Sequence, residues 1–213
     1  MHKAPFVVIE GIDGAGTTTQ TRRLAEALHT RNLAALTTHE PTDGPIGMLL
    51  RQMLKGRIVS VSGAGAPGWQ EMALLFAADR IEHARGEIEP TCSAGGWVLC
   101  DRYDYSSVAY QSASAGSVAV IPWLRELNRH APRPDLTLVI DVSPEVARAR
   151  RLARGSAKEI FDDDPFQAHL ATFYRDIDSH FPDDRLVHVD GDRDADQVFA
   201  ALWQVVVALA DKS

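Results

Sequence analysis

The run Gly11-Ile12-Asp13-Gly14-Ala15-Gly16-Thr17-Thr18-Thr19 follows directly on the apolar stretch Phe6-Val7-Val8-Ile9. Glycines at these positions let a backbone turn tightly and aim successive N–H groups inward, and a helix starting just beyond adds its positive end. An anion is favoured there without any side-chain charge. The phosphate-loop pattern G-x-x-x-x-G-K-[ST] is met at Gly11, Gly16 and Thr18, but Thr17 stands where the lysine belongs. The spacing therefore predicts a phosphate cradle from Gly11, Asp13, Gly14, Ala15, Gly16, Thr17, Thr18 and Thr19. Thr18 takes the position that coordinates Mg²⁺ between the β and γ phosphates of a nucleotide.

Two further groups carry charge suited to the same chemistry. Asp101-Arg102-Tyr103 closes the apolar run Trp97-Val98-Leu99-Cys100, and in open α/β sheets ligands gather at the carboxyl ends of strands. A carboxylate there can hold magnesium, and the adjacent guanidinium can fork onto a phosphate. Arg148, Arg150, Arg151 and Arg154 cluster in a chain whose net charge is −7. With an anionic ligand already implied, they read as an anion-facing group rather than a solvated helix face.

The elements that must position these residues follow from patterning. Phe6 to Ile9, Ala34 to Thr38, Trp97 to Cys100, Leu136 to Val142 and Leu186 to Val189 are short, apolar and barely alternating, as strands covered on both faces are. Helical periodicity occupies Thr18 to Arg31, Pro45 to Lys55 and Trp69 to Glu89, the last ended by Pro90. Two more helices follow, Pro144 to Ala153 and Asp196 to Ala210, the second capped by Asp194. Strand–helix alternation implies parallel pairing through right-handed crossovers and a three-layer α/β domain. Gly56 to Gly68 and Ser112 to Val120 read as surface loops, and Asp162-Asp163-Asp164 as a solvated acidic turn. The length of 213 residues suits one domain spanning 1–213. The acidic balance argues against a nucleic-acid surface, and no apolar run approaches a membrane span. Cys92 and Cys100, without metal-ligand spacing, fit two free thiols in a reducing cytoplasm.

The segment Asp101-Arg102-Tyr103-Asp104-Tyr105-Ser106-Ser107-Val108-Ala109-Tyr110-Gln111 closely resembles the D-R-Y-x-x-S-S-x-A-Y-Q segment of bacterial thymidylate kinases. The opening Phe6 to Gly16 is similar to that family's start. So are Glu40-Pro41 with Pro45-Ile46-Gly47, Leu74 to Arg80, and Arg133-Pro134-Asp135-Leu136-Thr137. The resemblance implies a nucleoside monophosphate kinase-like P-loop fold with a five-stranded parallel sheet of order 2-3-1-4-5, a homodimer, and a lid at about 148–162. It implies transfer of the γ-phosphoryl of ATP to dTMP with Mg²⁺ held by Thr18 and Asp101. Phe76 would stack on thymine, Arg80 would donate to a base carbonyl, and Ser107 and Gln111 would read the base edge. Tyr110 would pack on the deoxyribose, Asp13 would accept from its 3′-hydroxyl, and Arg102 would hold the acceptor phosphate. Arg150 and Arg154 match the lid arginines of bacterial members.

Two cations of the family pattern are absent. Thr17 replaces the loop lysine, and His39 stands where an arginine helps to hold the dTMP phosphate. Three consequences are open. Arg150, Arg151, Arg154 or Lys158 supplies the charge from the lid; or the enzyme is slow or acts on another nucleoside monophosphate; or the chain binds nucleotides without turnover. The intact base-reading set favours activity.

Overall fold

The computed structural model describes residues 3–61, 65, 67–155, 161 and 163–211. In chain order the elements begin with β1 (Phe6–Glu10), α1 (Thr17–Thr30), β2 (Ala35–His39), α2 (Pro45–Leu54) and α3 (Trp69–His83). A π-helical turn (Ala84–Ile88), α4 (Glu89–Ser93), β3 (Trp97–Asp101), α5 (Asp104–Ala115) and α6 (Ile121–Leu127) come next. The chain ends with β4 (Leu136–Asp141), α7 (Pro144–Arg154), α8 (Asp164–Arg175), α9 (Ile177–His180), β5 (Leu186–Asp190) and α10 (Ala195–Ala210).

The apolar runs form one parallel sheet of order β2-β3-β1-β4-β5. Central β1 is buried at every residue, whereas edge strands β2 and β5 are mostly half-buried. Burial on both faces therefore holds for the centre of the sheet and not for its edges. Helices α1 and α10 lie together on one side; α5 packs with α3 and α8 on the other. Leu24 and Leu28 of α1 are wholly buried, each contributing about 2 kcal/mol through apolar burial.

The register decides what meets at the carboxyl edge. Ile9 pairs with Asp101 and Asp101 with His39, so the loop leaving β1 starts beside the Asp101-Arg102 step. Asp194 caps α10 as expected, accepting from the amides of Asp196 and Gln197. Pro90 does not end the helix begun at Trp69. The backbone widens into the π turn and continues as α4, with Pro90 in its first turn. A proline ring clashes with the carbonyl four residues back in a regular α-helix, and the wider turn relieves that conflict. Part of the loop expected from Ser112 is helical, since α5 runs to Ala115 and a 3₁₀ turn follows at Val118–Val120.

Glu10, at the end of β1, is completely buried and holds these layers in place. The residue preceding α5, Tyr103, offers its helix no side-chain cap. Glu10 caps it from another element instead: its carboxylate accepts from the Tyr103 amide (2.8 Å), the Ser106 amide (3.3 Å) and the Ser106 hydroxyl (2.7 Å). Tyr174 of α8 donates from its hydroxyl at 2.8 Å. Burial pushes the Glu10 carboxyl up to about 7, with Arg102, Ser106, Tyr174 and Tyr103 pulling the other way.

That elevation fixes a sign. The folded state keeps the Glu10 proton where the unfolded chain, near 4.5, has released it, so Glu10's contribution to stability falls as pH rises from 4.5 through about 7. The full loss is about 3 kcal/mol at about 1.4 kcal/mol per pH unit spanned. Glu10→Gln, which keeps the shape without titrating, is expected to gain on the wild type in melting temperature between pH 5 and pH 8. Parallel melting curves across that range would sink the idea.

Candidate active site

The phosphate loop is built as its glycines require. Gly14 has φ 96°, and a Cβ there would lie 2.4 Å from the Ala147 carbonyl oxygen of α7. Glycine is thus demanded twice, by the left-handed backbone and by the helix packed on the loop. Gly16, at φ 95°, is the N-cap of α1 and provides no side-chain cap; the first turn holds no acidic residue. The positive end of α1 is accordingly open to an anion. Thr18 donates its hydroxyl to Asp101 Oδ2, and Asp101 Oδ1 is buried without a partner.

Mg²⁺ suits this pair. It is a hard cation that takes oxygen ligands, held through one or two carboxylates with substrate phosphates and water completing the shell. Among the described residues no group of three or more His, Cys, Asp or Glu side chains could hold a metal ion by itself. A single carboxylate and a hydroxyl beside a phosphate cradle are what a nucleotide-borne cation needs.

Asp13, Phe76, Arg80, Arg102, Ser107, Tyr110 and Gln111 line one cavity, together with Glu40, Tyr103 and Phe161. Arg102 sits at φ 72°, a left-handed conformation that costs a side-chain-bearing residue about 1–3 kcal/mol. The strain turns β3 sharply into α5 and swings the guanidinium back over the loop. Arg102 then donates to Asp13 Oδ1 (2.6 Å), Ser106 Oγ (3.1 Å) and the Tyr110 hydroxyl (3.3 Å). Burial keeps the Tyr110 hydroxyl protonated far above the usual phenol range, so it serves as donor to Asp13 Oδ2 at 2.9 Å.

At the other end, Arg80 is 1% exposed. It pairs with Glu40 (2.6 Å) and donates to Asn128 Oδ1 and to Ser107 Oγ (3.0 Å), leaving its Nε without a partner. Phe76 is only partly buried and forms part of the cavity wall. Neither amide atom of Gln111 has a partner although the residue is wholly buried. Buried polar groups are normally paired. An orphaned amide in a cavity wall leaves a donor and an acceptor open to a ligand.

Arg150 does not reach this cavity. It lines a second one with Gly14, Gly16, Thr19 and Asp194 on the other side of the loop, and donates to the Arg193 carbonyl at 2.9 Å. The Arg154 side chain lies outside the described residues, as do residues 156–160 of the expected lid, Lys158 among them, and Asp162. His39 is not among the residues lining the first cavity. Its ring is partly exposed, 2.9 Å from the Pro41 carbonyl and 3.5 Å from Asp43. Arg51 of α2 meets it there, 3.1 Å from His39 Nδ1.

Several site residues escape sequence reasoning. Arg51 is twelve positions from His39 and matches no quoted segment. Gln167 of α8, wholly buried, grips Asp13 twice: it accepts from the Asp13 amide (3.2 Å) and donates to Asp13 Oδ2 (3.0 Å). Asp164 is no idle member of an acidic turn. It opens α8 and pairs with Arg148 (2.7 Å) and Arg151 (3.2 Å). Nothing in the spacing of these residues foretold the contacts: those of Gln167 and Asp164 arise from the return of α8 across the site, and that of Arg51 from α2 lying beside the end of β2.

The sequence matches the thymidylate kinase family over residues 9–201. It is 39% identical over 183 residues to a probable thymidylate kinase of Pyrococcus horikoshii, covering 86% of this chain and 87% of the relative. It is 34% identical over 206 residues to the thymidylate kinase of Magnetococcus marinus, covering 94% of each. The thymidylate kinase of Rhodopseudomonas palustris is likewise 34% identical over 206 residues, 94% of this chain and 87% of the relative.

Gln111→Leu removes an unpaired buried amide at nearly constant volume. The ligand-free protein is expected to gain about 1 kcal/mol, raising its melting temperature by about 2–4 °C. An unchanged or lower melting temperature would show that the amide is already satisfied.

Proposed function

The chain belongs to the thymidylate kinase family, and from that premise we propose that it transfers the γ-phosphoryl group of ATP to dTMP, giving dTDP and ADP. The observation that carries the assignment of roles is the single cavity that joins Phe76, Arg80, Ser107, Tyr110 and Gln111 to Asp13 and Arg102 at the phosphate loop. In this reading Phe76 stacks on the thymine ring, while Arg80 and Gln111 present donors and an acceptor to its edge. The ion pair with Glu40 holds Arg80 in position, so little ordering remains when the base binds. Tyr110 lies against the deoxyribose and Asp13 accepts from the 3′-hydroxyl. Arg102 steadies the dTMP phosphate, whose oxygen attacks the γ-phosphorus as the bond to the β,γ-bridging oxygen breaks. Arg51, at the corner occupied by His39, is the nearby cation for that phosphate.

The loop from Gly11 to Thr19 and the open end of α1 receive the ATP phosphates. Thr18 and Asp101 would hold Mg²⁺, which when bound neutralises charge on the transferring phosphoryl. Arg150 and Arg154 complete the site as lid cations, at about 148–162. Two buried free thiols, Cys92 and Cys100, are in keeping with a reducing cytoplasm. No helix among the described residues is long and apolar enough to cross a membrane. The reading includes a homodimer.

Coupled measurement of ADP release should show stimulation by dTMP well above that by dUMP, dCMP or dGMP. Phe76→Ala is expected to raise KM for dTMP about 10-fold or more while leaving KM for ATP within about 2-fold, the loss of a stacked aromatic surface. Failure of every monophosphate to stimulate ADP release would remove the kinase assignment; preference for a purine would remove the base-reading roles.

A further inference from the structure

The loop lacks a cation at Thr17, whose side chain is short and almost fully buried. The described arginines of α7 differ sharply in what they face. Arg148 is well exposed and, among the described residues, pairs with Asp164, and Arg150 turns to the Arg193 carbonyl. Arg151 comes down on the phosphate loop itself. Its Nη1 donates to the Asp13 carbonyl at 2.7 Å, its Nη2 lies 3.2 Å from Asp164, and its side chain is only 11% exposed. The reason is geometric. Helix α7 touches the loop where the Ala147 carbonyl abuts Gly14, and Arg151, four residues on, projects from the same helix face. Arg151 is also not one of the positions that match the lid arginines of the bacterial relatives, which are Arg150 and Arg154. A loop without its own cation and an arginine held beside that loop occur together in this chain.

We propose that Arg151 is the catalytic cation that replaces the missing loop lysine and contacts the phosphate chain of bound nucleotide. The proposal rests on ATP as the phosphoryl donor. A guanidinium presents five donors, of which one here is spent on the loop carbonyl. That bond fixes the group at the cradle before nucleotide arrives. Asp164 balances its charge in the ligand-free state, sharing its carboxylate with Arg148. An incoming phosphate competes with Asp164 for Nη2, and the charge passes from the internal partner to the substrate. Because Asp13 also binds Arg102, Tyr110 and Gln167, the same contact ties the cation to the acceptor side.

The test combines binding of the non-hydrolysable analogue AMP-PNP with Mg²⁺, measured calorimetrically, and steady-state kinetics of the intact chain. Arg151→Ala should weaken analogue binding about 10-fold. It should lower kcat/KM for ATP by about 10²- to 10³-fold, the usual cost of one preorganised charge contact, with KM for dTMP within about 2-fold. Arg151→Lys should keep most of the function. Thr17→Lys added to Arg151→Ala should recover at least about 10-fold, which a merely structural arginine would not allow. Arg129→Ala, which removes an exposed arginine that pairs with Glu126 and lines neither cavity at the loop, should change either readout by less than about 3-fold. The proposal is overturned if Arg151→Ala folds and binds AMP-PNP like the wild type, or if Thr17→Lys restores nothing. Absence of dTMP-dependent ADP release in the wild type would defeat the kinase assignment alone, since analogue binding still decides the role of Arg151.

Discussion

The ion pair between Arg102 and Asp13, 2.6 Å long and largely sheltered from solvent, is the joint on which the site depends. One member belongs to the phosphate loop after β1 and the other to the turn after β3. The pair therefore ties the phosphate loop to the turn that leads into α5. Its geometry is secured at some cost. Arg102 adopts a left-handed backbone, and the compensation comes from the donors and acceptors gathered around it. Removing either partner would strand the other charge in a poorly solvated place, which is far more damaging than exchanging the pair for something apolar.

A second layer of constraint lies beneath that joint. Glu10 spans from the central strand to the start of α5 and to Tyr174 of α8, so the helix carrying Ser107, Tyr110 and Gln111 is capped by the same strand that launches the phosphate loop. On the far side of the cavity, Glu40 plays the corresponding part for Arg80. Both carboxylates act by placing other groups. The arrangement holds the cavity wall in place, which matters because phosphoryl transfer draws its rate from positioning and charge neutralisation.

Against this well-paired scaffold, the unpaired atoms stand out. Among the described residues, both amide atoms of Gln111, the Nε of Arg80 and Oδ1 of Asp101 are buried without partners, as are a few atoms elsewhere such as Gln20 Oε1. Each of the site atoms costs stability in the ligand-free protein and each lies where the proposed substrates or their metal would supply the missing bond. The displaced cation belongs to the same logic. A loop with an open helix end needs positive charge near it, not from one particular position, and α7 packs closely enough to deliver it.

The chain by itself determined the sheet, the glycine loop, the Asp101-Arg102 step and the helix pair that spaces Phe76 from Arg80 and Ser107 from Gln111. All of these are written in local periodicity or in contiguous segments. What it concealed was relational. Pro90 reads as a helix end until the wider π turn is seen to absorb its ring. Asp164 reads as a solvated acid until α8 returns to set it beside Arg148 and Arg151. His39 reads as a lone substitute for an arginine until the fold sets Arg51 of α2 3.1 Å from its ring. Arg151 reads as one arginine among several until the approach of α7 to Gly14 singles it out. Local backbone preferences and apolar spacing are recorded residue by residue. Contacts between elements separated by more than a hundred positions, as Asp13 is from Arg151 and Gln167, exist only once the sheet has closed and the helices have packed across its edge.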